Sequence, residues 1–213
     1  MIQHLLVAAI LMLTWETTDG QIYVPSRRVG FVFDQIENKA DIEIAAYLDP
    51  TCPDSAAVYP TLLEIAQHYS SDQLELRMHL HNLPYHRNSH VIAKAAHVLE
   101  NFVPYNNTAF QWMSVVFNNL RSLHSGATAG KTDSQVIDRL ADFANDLTGI
   151  DNISFRHMMS HYFFEGPARL DFKYGCTRGV HSTPMFTVND VFLGPEAGAW
   201  GVRDWKVYIN SKL

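Results

Sequence analysis

The chain has little of what small secreted scaffolds and nucleic-acid-binding proteins depend on. Only two cysteines occur among 213 residues, Cys52 and Cys176, so a disulfide-rich scaffold is excluded and the fold must rest on a hydrophobic core. Positive charge is also scarce, because 16 Lys and Arg residues against 22 Asp and Glu residues give a net charge of −6. We therefore expect one globular domain that binds neither nucleic acid nor an anionic membrane surface.

The chain also lacks a hydrophobic run long enough to span a bilayer. The apolar segment from Leu5 to Leu13 is too short for a transmembrane helix, but it has the length of a signal-peptide core. Thr18 and Gly20 supply the small residues that a cleavage site requires. We therefore predict a signal peptide over residues 1–20, entry into the secretory pathway, and a mature protein in the endoplasmic reticulum lumen or outside the cell, free of the membrane.

Three short motifs bear on this address. Sequons at Asn106 and Asn152 predict N-glycosylation, which fits a secretory route. The last three residues, Ser211-Lys212-Leu213, spell a peroxisomal signal that conflicts with it. Signal peptides are read while the chain is being made, before its carboxyl end exists. We therefore favour the secretory address over the peroxisome and interpret the tail as the end of a surface helix.

Hydrophobic periodicity divides the chain into strand patterns at both ends and helical patterns between them. Period-two or short apolar runs predict strands at Gly30–Phe33, Asp41–Leu48, Leu74–Leu80, Met185–Val188 and Val191–Leu193. Helical spacing predicts helices at Pro53–Tyr69, Val91–Phe102, Thr108–Leu120, Ser134–Leu147, Ser154–Phe163, Leu170–Arg178 and around Trp200–Ile209. The order is β-α-β, a helical block and α-β-β-α, which predicts an α/β fold with a mixed sheet and a helical insertion.

Cys52 lies where the strand Asp41–Leu48 gives way to a helix. The unpaired N–H groups and the dipole at the start of a helix stabilise a thiolate, so this is a favourable place for a reactive cysteine. Asp49 and Asp54 add negative charge nearby and oppose that effect. Ser55 stands three residues later, where a dithiol redox site carries its second cysteine.

Two prolines complete a recognisable constellation. Pro60 falls inside the predicted helix that follows Cys52, and Thr183-Pro184 immediately precedes a hairpin strand. Together with the inserted helical block, these features resemble the thioredoxin superfamily in its DsbA-like branch. The resemblance runs from about Val29 to the carboxyl end. Its most similar segments are Gly179–Asn189 (GVHSTPMFTVN), Asp49–Ser55 (DPTCPDS) and Leu83–Ser89 (LPYHRNS), the last two resembling eukaryotic DsbA-like proteins.

The resemblance implies a thioredoxin-like mixed sheet with a DsbA-type helical insertion. Residues 21–87 would form the first part of the thioredoxin-like domain, residues 88–164 the insertion, and residues 165–213 the second part. In that family the peptide bond before the conserved proline is cis. Pro184 would then face Cys52 across a shallow groove, where an extended client peptide pairs with the backbone, and Pro53, Asp54, Thr183 and Pro184 would bind the client.

Ser55 limits the chemistry that Cys52 can perform. Thiol–disulfide exchange passes through a mixed disulfide, which a dithiol enzyme resolves with its second thiol. An alcohol cannot attack sulfur, so the predicted catalytic pair of Cys52 and Ser55 must wait for an outside thiol. Three interpretations of Cys176 stay open: a buried, inert helix cysteine, a resolving thiol for Cys52, or half of an intermolecular bridge.

These features lead to three hypotheses of function. The first is a secretory-pathway protein that forms mixed disulfides with thiol- or disulfide-bearing clients, acting as an isomerase or retaining them. The second is a glutathione transferase of the DsbA-like, kappa-type fold, in which Ser55 activates glutathione. The third is a peptide-binding module without redox turnover. No cofactor is predicted, although glutathione could serve as a co-substrate.

Eleven histidines invite a metal interpretation, and five of them fall within one short stretch. Two share a strand face and two lie one helical turn apart, which is a workable zinc spacing. No cysteine or acidic ligand joins them at a recognised spacing, so we predict no metal site. The five residues are His79, His81, His86, His90 and His97.

Overall fold

The computed structural model describes residues 24–35, 40–104 and 107–213. The predicted signal peptide, residues 1–20, and the sequon residue Asn106 lie outside the described residues. Within the described ranges, no helix has both the length and the apolar character needed to cross a membrane.

A five-stranded mixed sheet forms the centre of the fold, as the sequence predicted. Its order is β1-β3-β2-β4-β5, with β2 and β3 parallel and the other neighbouring pairs antiparallel. The tight turn between the last two strands uses Asn189 and Asp190, both at positive φ (46° and 68°), as a two-residue hairpin requires. The strands are β1 Phe31–Val32, β2 Ile42–Leu48, β3 Leu74–Leu80, β4 Met185–Val188 and β5 Val191–Phe192.

Helices surround the sheet, and most of them lie in the block between β3 and β4. They are α1 Pro53–His68, α2 Ser89–Phe102, α3 Thr108–Asn118, α4 Leu120–Leu123, α5 Asp133–Thr148, α6 Asn152–Ser160, α7 Glu165–Thr177 and α8 Val202–Asn210. Short 3₁₀ turns occupy Phe33–Gln35, Tyr162–Phe164 and Pro195–Ala199. The mixed sheet with a helical insertion is therefore the observed architecture.

Capping residues explain several boundaries that hydrophobic spacing alone misplaced. A capping box of Thr132 and Gln135 starts α5, and Gly149 ends it in the left-handed region, at φ 75°. The Asp151 carboxylate accepts the N–H groups of Ile153 and Ser154, so α6 starts two residues before the predicted Ser154. The polar side chains that bind free backbone groups, rather than the apolar stripe, set these ends.

Other predicted elements differ from the observed ones in length or start. The predicted helix Thr108–Leu120 divides at Asn119 into α3 and α4. The helix predicted from Leu170 starts five residues earlier, at Glu165, because Pro167 is tolerated in the first turn, where no intrahelical N–H bond is lost. In contrast, α1 continues through Pro60 as one helix.

One face of the sheet carries the main hydrophobic core. Alternate residues of β2, among them Ile42, Ile44 and Leu48, are almost completely buried there. Helices from both parts of the chain cover them, including Leu62 of α1 and Trp205 of α8. The core continues into the helical block, where its buried members include Ile92, Leu99, Trp112, Met113, Leu140 and Phe155.

The other face of the sheet is polar yet buried. The alternating pattern of β3 is typical of a half-exposed strand, but Glu75, Arg77 and His79 are between 1% and 5% exposed. Arg77 pairs with Glu75 at 2.7 Å, and His79 Nδ1 lies 2.9 Å from the carboxylate of Asp171 on α7. The imidazole also stacks between two tyrosine rings, at 4.8 and 4.9 Å. Polar and aromatic contacts therefore seat α7 on this face.

His97 is a second histidine that the fold buries. Its ring lies 4.6 Å from that of Phe31, and its Nε2 atom is buried without a hydrogen-bond partner among the described residues. Burial lowers the pKa of this imidazole to about 4, so the folded chain holds it neutral. In the unfolded chain the same group takes up a proton near its ordinary pKa of about 6.5.

We expect His97 to make the fold sensitive to acid. As the pH falls, the imidazole of the unfolded chain takes up a proton before that of the folded chain. The free energy of unfolding is therefore unaffected by His97 above pH ~6.5 and decreases by up to about 3 kcal/mol as the pH drops towards ~4. Denaturant unfolding of wild type and His97→Leu between pH 4 and 8 should show a shallower pH dependence in the variant. The exposed His157 provides the control, since His157→Leu should follow the wild-type curve; equal slopes in all three proteins would contradict this assignment.

Candidate active site

A tight turn at the end of β2 presents Cys52. The Cys52 N–H donates to the Asp49 carbonyl at 3.1 Å, and Pro50 occupies the second position of the turn, where its fixed φ is favourable. Cys52 is extended (φ −79°, ψ 123°) and caps α1, whose first residue is Pro53. The predicted junction of strand, cysteine and helix is therefore present, and the sulfur lies at the start of the helix.

The Cys52 sulfur faces the loop that leads into β4. Its S–H donates to the Thr183 carbonyl at 3.4 Å, and the Thr183–Pro184 bond is cis. Pairing of β2 with β4 places Met185 opposite Tyr47, which brings the loop beside the turn. Cys52 is only 5% exposed. The structure thus brings Cys52, Thr183 and Pro184 together, and their roles in binding or catalysis stay predictions.

Ser55 lies completely buried in the first turn of α1. Its hydroxyl accepts the Asp49 N–H at 3.1 Å, so the oxygen supports the turn that carries the cysteine. Pro53 and Asp54, the other residues between cysteine and serine, are exposed at the start of the helix. The position of the missing second cysteine is therefore filled by a hydroxyl that binds the backbone.

The Asp49 carboxylate is a site residue that sequence reasoning treated only as a nearby charge. It has no exposed surface and accepts hydrogen bonds from the Thr51 N–H at 2.7 Å, the Ser89 hydroxyl at 2.6 Å and the Leu83 N–H at 2.6 Å. His86 Nδ1 lies 3.0 Å from the same carboxylate. The signal in the sequence was the pair of segments Asp49–Ser55 and Leu83–Ser89, which meet at this group.

The two cysteines are both free, and they differ in exposure. Cys52 is buried, whereas Cys176, near the end of α7, is exposed. The interpretation of Cys176 as a buried, inert cysteine is therefore wrong, because α7 turns Ala168, Asp171 and Gly175 inward instead. A resolving role or an intermolecular bridge stays a prediction for this thiol.

The remaining candidate positions lie apart from the cysteine. The half-buried Asn152 begins α6, and its Nδ2 donates to the Asp142 carboxylate at 2.9 Å. The Ser211-Lys212-Leu213 tail is exposed beyond the end of α8. The clustered histidines divide among different partners, such as His79 with Asp171 and His90 with Glu165. Across the described residues, no group of three or more His, Cys, Asp or Glu side chains could hold a metal ion.

Comparison with known proteins shows similarities in sequence and in fold. A family model described as thioredoxin matches residues 37–204. No curated protein matches the chain in sequence.

Three solved bacterial structures illustrate the similarity of fold. A protein described as a protein-disulfide isomerase from Pseudomonas syringae has a TM-score of 0.70 and 18% identity, covering 81% of this chain and 95% of its own. MdbA, a thiol-disulfide oxidoreductase from Corynebacterium diphtheriae, has a TM-score of 0.64 and 14% identity, covering 86% and 89%. DsbA from Chlamydia trachomatis has a TM-score of 0.63 and 15% identity, covering 90% and 95%.

We expect Ser55→Ala to destabilise the fold, because it leaves the buried Asp49 N–H without its acceptor. The cost should be about 1–3 kcal/mol in the free energy of unfolding, measured with urea. Ser160→Ala is the matched control, since that exposed hydroxyl binds only a carbonyl of its own helix, and its effect should stay within about 0.5 kcal/mol. Equal stability of the two variants would show that the Ser55 hydroxyl does not support the turn.

Proposed function

Because the chain belongs to the thioredoxin superfamily and is DsbA-like, we propose that it exchanges thiols and disulfides with client proteins through Cys52 alone. The contact between the Cys52 sulfur and the Thr183 carbonyl, beside the cis bond to Pro184, is the observation that carries this proposal. Ser55 supplies no second thiol. The protein therefore forms mixed disulfides and depends on another thiol to release them.

The exchange conserves electrons at every step. The Cys52 thiolate attacks one sulfur of a client disulfide, the client S–S bond breaks, and the other client sulfur leaves as a thiolate. A thiolate of the client, or of an outside thiol such as glutathione, then attacks the client sulfur of the mixed disulfide. Cys52 leaves as a thiolate, ready for another cycle. Attack by the client's own thiol rearranges its disulfides, which is isomerisation without net oxidation.

The Thr183 carbonyl can accept a hydrogen bond from the client backbone during capture. In the thiol form this oxygen accepts the Cys52 S–H. Once the sulfur is ionised or bonded to a client, it no longer has a hydrogen to donate, and the carbonyl can accept a backbone N–H of the client. An extended client segment would pair in this way with the loop before β4, which is a form of strand addition.

The chemistry suits a compartment in which client disulfides exist. Disulfides persist in the secretory pathway and are rare in the cytosol. We therefore propose that residues 1–20 direct the chain to the endoplasmic reticulum lumen or outside the cell, and that Asn106 and Asn152 are glycosylated there. Release of a captured client would then use glutathione or a client thiol, with no cofactor.

Capture by Cys52 predicts adducts that a single substitution removes. The full chain should be expressed in cells, exchange stopped with acid, free thiols then alkylated near neutral pH in denaturant, and adducts separated without reductant. Wild type should show reducible adducts, and Cys52→Ala should remove at least about nine-tenths of them because the attacking thiolate is gone. Cys176→Ala separates the two thiols: adducts lost with Cys176→Ala but kept in Cys52→Ala would overturn the proposal.

A restored second thiol should shorten the life of these adducts. Ser55→Cys places a thiol three residues after Cys52, from which it can attack the mixed disulfide and release the client with a 52–55 disulfide in the protein. We expect fewer trapped adducts and an intact mass lower by two hydrogens. Ala57→Cys is the matched control, because it adds an exposed thiol elsewhere on α1 and should leave the adducts unchanged. Persistent adducts in Ser55→Cys despite the new disulfide would contradict resolution by exchange.

Binding to immobilised glutathione discriminates the transferase hypothesis. In that hypothesis Ser55 activates glutathione, so binding should survive Cys52→Ala and disappear in Ser55→Ala. The hydrogen bond from the Asp49 N–H to the Ser55 hydroxyl argues for the opposite result. On a resin that carries glutathione as a mixed disulfide, we expect the Cys52 thiolate to attack the glutathione sulfur, displace the other thiol and be retained as a reducible disulfide. The third hypothesis, a peptide-binding module, predicts unchanged binding of clients by Cys52→Ala under alkylating conditions.

A further inference from the structure

We propose that the buried carboxylate of Asp49 is the positioning residue of the cysteine site. It holds the turn that carries Cys52 against the start of α2, and so sets the sulfur in place opposite Thr183. The inference rests on the proposed function of Cys52 as the exchanging thiol. Asp49 touches no reacting atom, and it acts through the residues that it binds.

The contacts of the carboxylate come from two separate segments. The Thr51 N–H (2.7 Å) and hydroxyl (3.2 Å) lie in the cysteine turn, whereas the Ser89 hydroxyl (2.6 Å) and the Leu83 N–H (2.6 Å) belong to the segment that leads into α2. Because the Ser89 hydroxyl donates its hydrogen to the carboxylate, the Thr51 hydroxyl is the donor in the 2.7 Å bond between Thr51 and Ser89, and its 3.2 Å approach to the carboxylate is a secondary contact. A carboxylate with no exposed surface needs donors of this kind, and here they join the cysteine turn to the helical block.

The main chain of Asp49 forms hydrogen bonds with both Cys52 and Ser55. Its carbonyl accepts the Cys52 N–H at 3.1 Å, and its N–H donates to the Ser55 hydroxyl at 3.1 Å. The two bonds therefore reach Cys52 and Ser55, which lies in the first turn of α1. A shift of Asp49 would therefore move the sulfur relative to the Thr183 carbonyl, which is 3.4 Å away.

The imidazole of His86 lies beside this buried cluster. Its Nδ1 lies 3.0 Å from the Asp49 carboxylate while 19% of its side chain is exposed. Tyr85 packs against the ring at 4.8 Å. Burial lowers the pKa of the nearby His81, and the carboxylates of Asp171 and Asp49 oppose that shift. The segment Leu83–Ser89 contains His86 as well as both donors, so it meets the cysteine turn at Asp49.

A comparison within the same protein separates positioning from stability. Asp171 is also fully buried and accepts one backbone N–H, that of Leu80 at 2.8 Å, together with a contact to His79 at 2.9 Å. Its partners lie on β3 and do not include the cysteine turn. A buried ionised group does not by itself increase the stability of a fold, although the loss of one of its partners lowers it. If Asp49 contributed only to stability, substitution of either aspartate would affect Cys52 alike.

The test compares Asp49→Asn with Asp171→Asn in a Cys176→Ala background, so that Cys52 is the reacting thiol. The rate constant for reaction with 5,5′-dithiobis(2-nitrobenzoate) is measured across pH, and the plateau at high pH, where the thiol is fully ionised, is compared. We expect Asp49→Asn to lower the plateau roughly tenfold or more, because a misplaced nucleophile loses rate without losing charge. Asp171→Asn should stay within about twofold at a similar loss of stability.

The height of the plateau decides whether Asp49 positions Cys52. A plateau in Asp49→Asn equal to that of the parent, or an equal fall in both variants, overturns positioning by Asp49. If Asp49→Asn fails to fold, Ser89→Ala removes one donor and keeps the carboxylate; a plateau lowered about twofold or more supports the proposal, and an unchanged plateau overturns it. The proposed function fails separately, because a parent protein that reacts with the probe but traps no clients leaves the Asp49 comparison measurable.

Discussion

The turn at the carboxyl end of β2 is the constraint on which the rest of the site depends. Asp49 accepts the N–H of Cys52 and donates its own to Ser55, so three residues around the sulfur share one set of hydrogen bonds. Pairing of β2 with β4 then places the Thr183 carbonyl within 3.4 Å of that sulfur. The position of the thiol thus follows from strand pairing on one side and a buried turn on the other.

The polar face of the sheet shows how the fold keeps its layers together without apolar residues at every position. Arg77 pairs with Glu75, and His79 pairs with Asp171 while its ring stacks between tyrosines. Desolvation raises the pKa of one of those tyrosines, Tyr47, to about 12, so its hydroxyl stays protonated through the physiological range. These contacts hold α7 against β3.

Ser55 limits the chemistry of the site, because it provides no second thiol beside Cys52. A hydroxyl cannot resolve a mixed disulfide, and in this chain it accepts a backbone hydrogen bond instead. The proposed function is accordingly capture by Cys52, followed by release through a thiol from elsewhere. The similarity to the three bacterial proteins, at 14% to 18% identity, shows the fold. The limit on the chemistry of Cys52 is inferred from Ser55 in this chain.

Much of the fold and part of the site were predictable from the residues. Period-two patterns predicted β3 at its observed bounds, and the resemblance to the DsbA-like branch implied that Pro184 would face Cys52. Helix ends were less predictable, because Thr132 and Asp151 act through hydrogen bonds rather than through hydrophobic spacing. Of the three interpretations of Cys176, burial was wrong, since periodicity on a short helix does not reveal which face meets the sheet.

The sequence by itself determined which chemistry is available: one cysteine at a helix start, a serine in place of its partner, and a proline before a hairpin strand. Local spacing suffices for these features, because a turn and a helix cap involve neighbours along the chain. Only the tertiary structure decided that the Asp49 carboxylate binds both Thr51 and Ser89, residues that lie 38 positions apart. A buried charge finds its donors wherever the packed chain supplies them, and no local pattern specifies that meeting.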